Sequence, residues 1–176
     1  VRSWVVLNDS PGPAILSSVK TDCVVPLPLR PTTGGDVLGN FLVNSYFTSG
    51  TVGWALSGQL ASQVTNDTLE FYRTPGAPAP KIEQATIHAA AEDQRVAAVF
   101  ELGNTSATRQ RVTVQLQDAN PDAPYLTVCT FWLAPGAPMR TYRIRTHTNQ
   151  AWANATISFY AATTGQNGGV YRLDNV

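Results

Sequence analysis

Apolar and polar residues alternate with a period of two along most of the chain from about residue 39 to its end. In RVTVQLQD, Val112, Val114 and Leu116 fall on one side, and the polar residues fall on the other. Because successive side chains of a strand point to opposite faces, this pattern predicts half-buried β-strands. The same pattern occurs in VCTFWL, TYRIRTHT, NATISFYAA and GGVYRLDNV.

Helical periodicity is almost absent from the sequence. The best helical candidate, residues 83–100, is better interpreted as two strands around a short polar bend at Glu92-Asp93. Turn segments rich in Gly, Pro and Asn separate the remaining strands. The pattern therefore predicts an all-β chain with little or no helix, folded as an antiparallel β-sandwich or barrel.

The first 38 residues do not follow this pattern. Prolines interrupt the strand-like WVVLND and the apolar residues after it. We expect residues 1–38 to be an N-terminal extension or edge strands packed on the sandwich, with a linker as the alternative. Residues 39–176 form the predicted sandwich domain.

Composition excludes several function classes. The chain has 12 basic and 12 acidic residues, so its formal net charge is zero. It lacks the excess of positive charge that favours binding to nucleic acid or to an acidic membrane surface. No apolar run approaches the roughly 20 residues of a spanning helix. The neutral surface, rich in hydroxyl and amide groups, is typical of secreted proteins, and we expect an extracellular or cell-surface location. Cys23 and Cys129 form a disulfide in an oxidising compartment, or else they are buried thiols.

Both ends of the predicted sandwich resemble a known family. NFLVNSYFTSGTVGWALSG and FYAATTGQNGGVYRLDNV are similar to the first and last strands of galactose-binding-like jelly rolls, which include many carbohydrate-binding modules. The resemblance covers residues 39–176 in outline and implies a jelly-roll sandwich in which Trp54 is structural. The matching residues are Asn44, Phe47, Gly53, Trp54, Asp174, Asn175 and Val176.

The resemblance also implies a structural calcium ion. In relatives that hold this ion, a Glu follows the Phe, whereas Thr48 stands here. Asp174 and backbone carbonyls near Asn44 to Ser49, with Asn44 and Thr48 among the ligand residues, would then form a weakened Ca²⁺ site. The alternative is that Asp174 only hydrogen-bonds a turn.

Exposed aromatic side chains among long polar ones are the sequence signal for sugar binding, because a sugar ring stacks its C–H face on them. Trp132 is the strongest candidate, since alternation assigns its neighbours to the core. Trp152 is a second candidate, at the edge of a loop. The alternatives are that both tryptophans pack against other parts of the chain and that the polar residues contact only solvent. The polar candidates, if their strands share one sheet, are Gln115, Gln117, Arg143, Arg145 and Tyr160.

No residue pattern indicates catalysis. The acidic residues show no spacing that singles out a pair for glycoside cleavage, and neither histidine has an evident partner. We therefore predict a non-catalytic extracellular carbohydrate-binding module that targets an attached catalytic or anchoring domain to a glycan. The alternative is a structural or adhesive surface sandwich that binds protein or acts as a spacer.

Overall fold

The structure is a computed structural model, and it describes residues 22–23, 40–57, 59–76, 80–120, 126–148, 150–163 and 170–176. Within these ranges every regular element is a β-strand. The strands are β1 Asp22–Cys23, β2 Ala55–Leu56, β3 Leu60–Thr65, β4 Thr68–Arg73, β5 Lys81–Ala85, β6 Arg95–Asn104, β7 Gln110–Asp118, β8 Leu126–Leu133, β9 Arg140–His147, β10 Ala155–Ala161 and β11 Tyr171–Asp174.

The strands form two antiparallel sheets that pack face to face. The six-stranded sheet has the order β1-β9-β6-β11-β4-β3, and the five-stranded sheet has the order β2-β5-β10-β7-β8. All strand pairs are antiparallel. The predicted all-β jelly-roll sandwich is therefore confirmed. No helix among the described residues is long and apolar enough to cross a membrane.

The core lies between the two sheets and is built by the alternation seen in the sequence. In β7, Val112, Val114 and Leu116 are buried, while the residues between them are at least partly exposed. Aromatic rings connect the two sheets through this core. Ring centroids are 5.3 Å apart for Phe47–Trp54, 6.4 Å for Trp54–Phe159, 5.0 Å for Phe159–Phe100, 6.1 Å for Phe100–Tyr142 and 5.2 Å for Tyr142–Phe131.

The apolar run Phe41–Phe47 was expected to be the first strand of the sandwich, and this expectation is wrong. Residues 42–53 form a series of turns instead. Asn44 and Phe47 have φ angles of 51° and 52°. Such left-handed angles interrupt an extended strand. The Gln84 side chain holds this segment against β5, because it accepts from Val43 N at 2.6 Å and donates to Val43 O at 2.9 Å.

Trp54 is structural, as the resemblance implies. Only 6% of it is exposed, and its Nε1 donates to the carbonyl oxygen of Asn44 at 3.2 Å. Gly53 has a φ of 86°, and a Cβ at this position would lie 3.3 Å from the Val43 side chain. Glycine therefore permits both the turn and the close approach of the Val43 segment.

The segment 83–100 forms two strands, β5 and β6, as the sequence predicts. The bend between them is longer than expected and covers residues 86–94, with Asp93 at a φ of 58°. Its backbone pairs with the first residue of β10 and with the connection that precedes β10. Thr86 N donates to Ala155 O at 2.7 Å, and Ala90 and Trp152 exchange hydrogen bonds of 3.0 and 2.8 Å.

The described part of the N-terminal region is an edge strand. β1 pairs with β9 at the border of the six-stranded sheet, with Cys23 opposite Ile144. The rest of residues 1–38 lies outside the described residues. Cys129, on the core side of β8, is disulfide-bonded, and Cys23 is the only other cysteine of the chain. This decides between the disulfide and the buried thiols that the sequence left open.

We expect Trp54→Ala to destabilise the protein by about 3–5 kcal/mol, because it truncates a large buried side chain and leaves a cavity. For a chain of this size the melting temperature should fall by roughly 6–20 °C. Tyr46→Ala, which truncates an aromatic residue that is 58% exposed in the same segment, is the control and should change it little. Equal melting temperatures for Trp54→Ala and the wild type would contradict the core role of Trp54.

Candidate functional site

The candidate site lies on the five-stranded face, which we define as the solvent-facing side of the sheet formed by β2, β5, β10, β7 and β8. Strand register brings its side chains into rows across the sheet. Arg111 lies opposite Trp132, and Thr113 lies between Tyr160 and Thr130. Gln115 lies in the next row, between Ser158 and Val128. The face therefore carries one aromatic edge and a polar centre.

Trp132 is the exposed aromatic of this face. Its side chain is 51% exposed, which confirms that it points away from the core. Two arginines lie on its ring, with the Cζ of Arg109 4.4 Å and the Cζ of Arg111 5.9 Å from the ring centroid. Each exposed contact of this kind is worth about 0.5–1 kcal/mol. The indole and the two guanidinium groups therefore form one cluster at the β8 edge.

The polar centre of the face contains small side chains between longer ones. Thr156 and Ser158 of the middle strand β10 are 6% and 0% exposed, although they are on the solvent side. The Ser158 hydroxyl donates to Glu83 Oε2 at 3.2 Å, and the same oxygen lies 2.6 Å from Lys81 Nζ. The Glu83 carboxylate is therefore paired with Lys81 within the face.

Hydroxyl groups continue from this centre toward Trp132. Thr113 and Thr130 share a hydrogen bond of 2.9 Å between their hydroxyl oxygens. Tyr160 occupies the same row on the other side of Thr113. These groups can donate to and accept from the hydroxyls of a ligand that also reaches Trp132.

The structure brings four of the predicted site residues onto the five-stranded face. They are Trp132, Gln115, Gln117 and Tyr160, which lie on β8, β7 and β10. Their ligand-binding role remains a prediction.

Arg143 and Arg145 do not join them. Both lie on β9, which belongs to the six-stranded sheet, where they are opposite Val99 and Ala97. Their solvent-facing direction is as expected, but the sheet is the wrong one. Alternation fixes the side of a strand to which a residue points and does not fix the sheet that the strand joins.

Trp152 is also placed differently from the expectation. It is 3% exposed rather than presented at a loop edge, and its backbone pairs with Ala90. Its Nε1 is buried without a hydrogen-bond partner among the described residues. Pairing of the two connections at this end of the sandwich buries the ring, so it offers no surface for stacking.

The side chain of Asn44, one of the residues predicted to hold calcium, forms hydrogen bonds within its own segment. The Asn44 side-chain oxygen accepts from Ser49 N at 3.1 Å, and its amide nitrogen donates to Gly50 O at 2.9 Å and Val52 O at 3.2 Å. Thr48 is exposed. Within the described ranges no three His, Cys, Asp or Glu residues are grouped as metal ligands.

Asp174 lies in an acidic part of the six-stranded sheet. Its Oδ1 accepts from Asn175 N at 2.8 Å. Burial raises the pKa of Asp174 and the carboxylates of Glu101 and Asp67 raise it further, against the lowering effects of the Asn175 hydrogen bond and of Arg172. The turn-bonding alternative thus matches the observed contact.

Two features of the surface were missed from the sequence. Arg109 was not singled out, because it lies in the turn before β7, where alternation carries no information. Phe41 and His88 form the second feature, with ring centroids 3.9 Å apart. They are 47 residues apart in the sequence numbering, and no local pattern indicates their contact.

Comparison with known proteins supports the fold. No protein-family model matches the chain, and no curated protein matches it. A CBM4 carbohydrate-binding module has a similar structure, with a TM-score of 0.52 and 16% identity over 75% of this chain and 81% of the module. The enzymatically active domain of tailspike protein 4 from bacteriophage CBA120 has a TM-score of 0.53 and 15% identity over 77% of this chain. The match spans only 20% of the tailspike chain. At these identities the similarity concerns the fold.

We expect Asp174→Asn to raise the melting temperature at pH 7 by about 1–2 °C, because surface charge effects are worth roughly 1 kcal/mol or less. A raised folded-state pKa means that the carboxyl group stabilises the fold below its unfolded pKa and that this contribution is lost as pH rises through the folded pKa. The gain from Asn should therefore vanish as the pH falls through about 4.

Thermal scans with calcium and with chelator complete this test. The gain in melting temperature from Asp174→Asn should be the same in both. A calcium-dependent stabilisation of the wild type that Asp174→Asn removes would instead support the ion site.

Proposed function

We propose that the chain is a non-catalytic extracellular carbohydrate-binding module that binds glycan on the five-stranded face. The observation that carries this proposal is the exposure of Trp132 on a face whose neighbouring groups are hydroxyls, amides and guanidiniums. A large aromatic surface beside directed polar groups matches a sugar, which has apolar C–H faces and polar edges. The CBM4 module with a similar fold supports this class of ligand.

The absence of a catalytic role is part of this proposal. Glycoside hydrolysis ordinarily uses two carboxyl groups that face one cleft. The outward positions of β5, β7, β8 and β10 described by the structure include one carboxylate, Glu83, and that group is paired with Lys81. The similar tailspike domain is enzymatically active, but this chain matches only a minor part of it.

An oxidising location and an attached domain complete the proposal. The disulfide of Cys129 is typical of proteins outside the reducing cytosol. A module of this kind increases the local concentration of a linked catalytic or anchoring domain on a glycan surface. The disulfide supports the location, and the attached domain follows from the proposed targeting role.

Protein binding is the second candidate function, and a specific surface favours it. The turn segment and the loop after β5 both expose apolar side chains, and the Phe41–His88 contact joins these two parts of the surface. Clustered apolar exposure is a feature of protein-binding surfaces. The side chains and their exposed fractions are Phe41 43%, Val43 61%, Val52 63% and Ile87 84%.

A calorimetric titration against a broad panel of oligosaccharides tests the first candidate. Trp132→Ala should weaken binding about tenfold or more, which corresponds to a loss of roughly 1.4 kcal/mol. Its melting temperature should stay within a few degrees of the wild type, because substitutions of exposed residues change stability little.

Tyr46→Ala removes another exposed aromatic residue, on the turn segment, and is the matched control. It should bind like the wild type. If Trp132→Ala binds glycan normally, the five-stranded face is not the site. If the wild type binds no glycan in the panel, the protein-binding candidate replaces the first one, and Ile87→Ser becomes the variant to examine.

A further inference from the structure

We infer that the ligand of the five-stranded face is an acidic glycan, whose carboxylate or sulfate groups are bound by Arg109 and Arg111 beside Trp132. This inference rests on the proposed function and specifies its ligand class. Its starting point is that two guanidinium groups, rather than one, lie on the ring of the most exposed tryptophan of the described residues.

Arg109 and Arg111 are also charged groups at this edge of the face. Both are exposed, and within the described parts of the chain neither forms an ion pair. Lys81 of the same face, by contrast, lies 2.6 Å from Glu83. Two positive charges therefore remain at the Trp132 edge of a chain whose net charge is zero.

Hydrogen bonds within the loop hold the backbone that carries Arg109. The Asn104 amide nitrogen donates to Thr108 O at 2.9 Å and to Ala134 O at 2.8 Å. Ser106 N donates to Asn104 Oδ1 at 2.8 Å, and Gly136 N donates to Ser106 O at 2.9 Å. These hydrogen bonds join the loop before β7 to the loop after β8. They hold the backbone of Arg109 where its side chain can lie over the Trp132 ring.

The chemistry of these groups favours an anion over a neutral sugar. A guanidinium group that lies on an indole ring uses its flat face and keeps N–H donors at its edge, where carboxylate and sulfate oxygens bind well. A neutral sugar that stacks on the same ring competes with Arg109 for the ring surface. An acidic sugar compensates for this displacement by pairing with the guanidinium groups.

The surroundings favour a glycan over a nucleic acid. Nucleic-acid binding relies on many phosphate contacts spread over a basic surface, and the strands of this face add only Lys81, which is paired with Glu83. The adjacent row offers hydroxyl groups, with Thr113 and Thr130 2.9 Å apart. The arginines can bind one acidic group of a ligand, and this row can bind sugar hydroxyls. An acidic polysaccharide carries both kinds of group in its repeating unit.

Matched pairs of charged and neutral glycans test the inference. Oligogalacturonate is compared with its methyl ester, and dextran sulfate is compared with dextran, so that the two arms separate carboxylate from sulfate. The wild type should bind the acidic member of at least one pair about tenfold more tightly, and this preference should weaken with added salt. The double variant Arg109→Gln/Arg111→Gln should lose the preference.

Two further variants separate this inference from the proposed function. Trp132→Ala should weaken binding of every glycan that binds, which tests the site itself. Arg143→Gln removes the same charge from the outer side of the six-stranded sheet and should leave the preference unchanged.

The results that would overturn the inference can be distinguished from those that would overturn the proposed function. Equal affinity for charged and neutral members, lost in Trp132→Ala, would keep the proposed function and overturn the acidic preference. A preference that survives the double variant, or that Arg143→Gln removes, would place acid recognition elsewhere and overturn the inference. Tighter binding of a single-stranded oligonucleotide than of any acidic glycan would also overturn it.

Discussion

The packing of aromatic rings between the two sheets is the constraint on which the rest of the structure depends. The rings contact one another from the turn segment through both sheets as far as Phe131 on β8. Because Phe131 points into this core, its neighbour Trp132 must point outward. The outward direction of the indole at the candidate site is therefore a direct consequence of the core packing.

The same constraint explains which parts of the fold the sequence predicts. Strands β7, β8, β9 and β10 follow from alternation because each has one buried and one solvent-facing side. The opening run Phe41–Phe47 was wrongly predicted to be a strand. Phe47 is buried, whereas other apolar residues of the run are exposed in turns. Asn44 and Phe47 adopt left-handed conformations in this run. The side chain of Gln84, which is distant in the sequence, holds Val43 of the same run, and no local pattern reveals this contact.

The candidate site could likewise be predicted only in part from local sequence patterns. Gln115, Gln117, Tyr160 and Trp132 are placed correctly because their strands happen to be neighbours in one sheet. Arg143 and Arg145 have an equally good alternation, yet the order of strands in a sheet depends on long-range pairing. Arg109 could not be predicted at all, because it lies in a turn, where alternation carries no information. It reaches the site because hydrogen bonds join that turn to the loop after β8.

Amide side chains replace regular backbone pairing where the chain turns. Asn44 binds three backbone groups of its own segment. Asn40 Nδ2 donates to Val176 O at 2.9 Å, which joins the turn segment to the residues that follow β11. These bonds satisfy backbone groups that a strand would pair in a ladder.

Indole signals in a nuclear magnetic resonance titration test the central claim most directly, namely that glycan is bound at Trp132. The side-chain N–H signal of Trp132, assigned with a Trp132→Phe variant, should shift as an oligosaccharide that binds is added. The signals of the buried Trp54 and Trp152 should stay in place. An unchanged Trp132 signal in a sample that binds glycan would contradict the account, because the sugar would then occupy another surface.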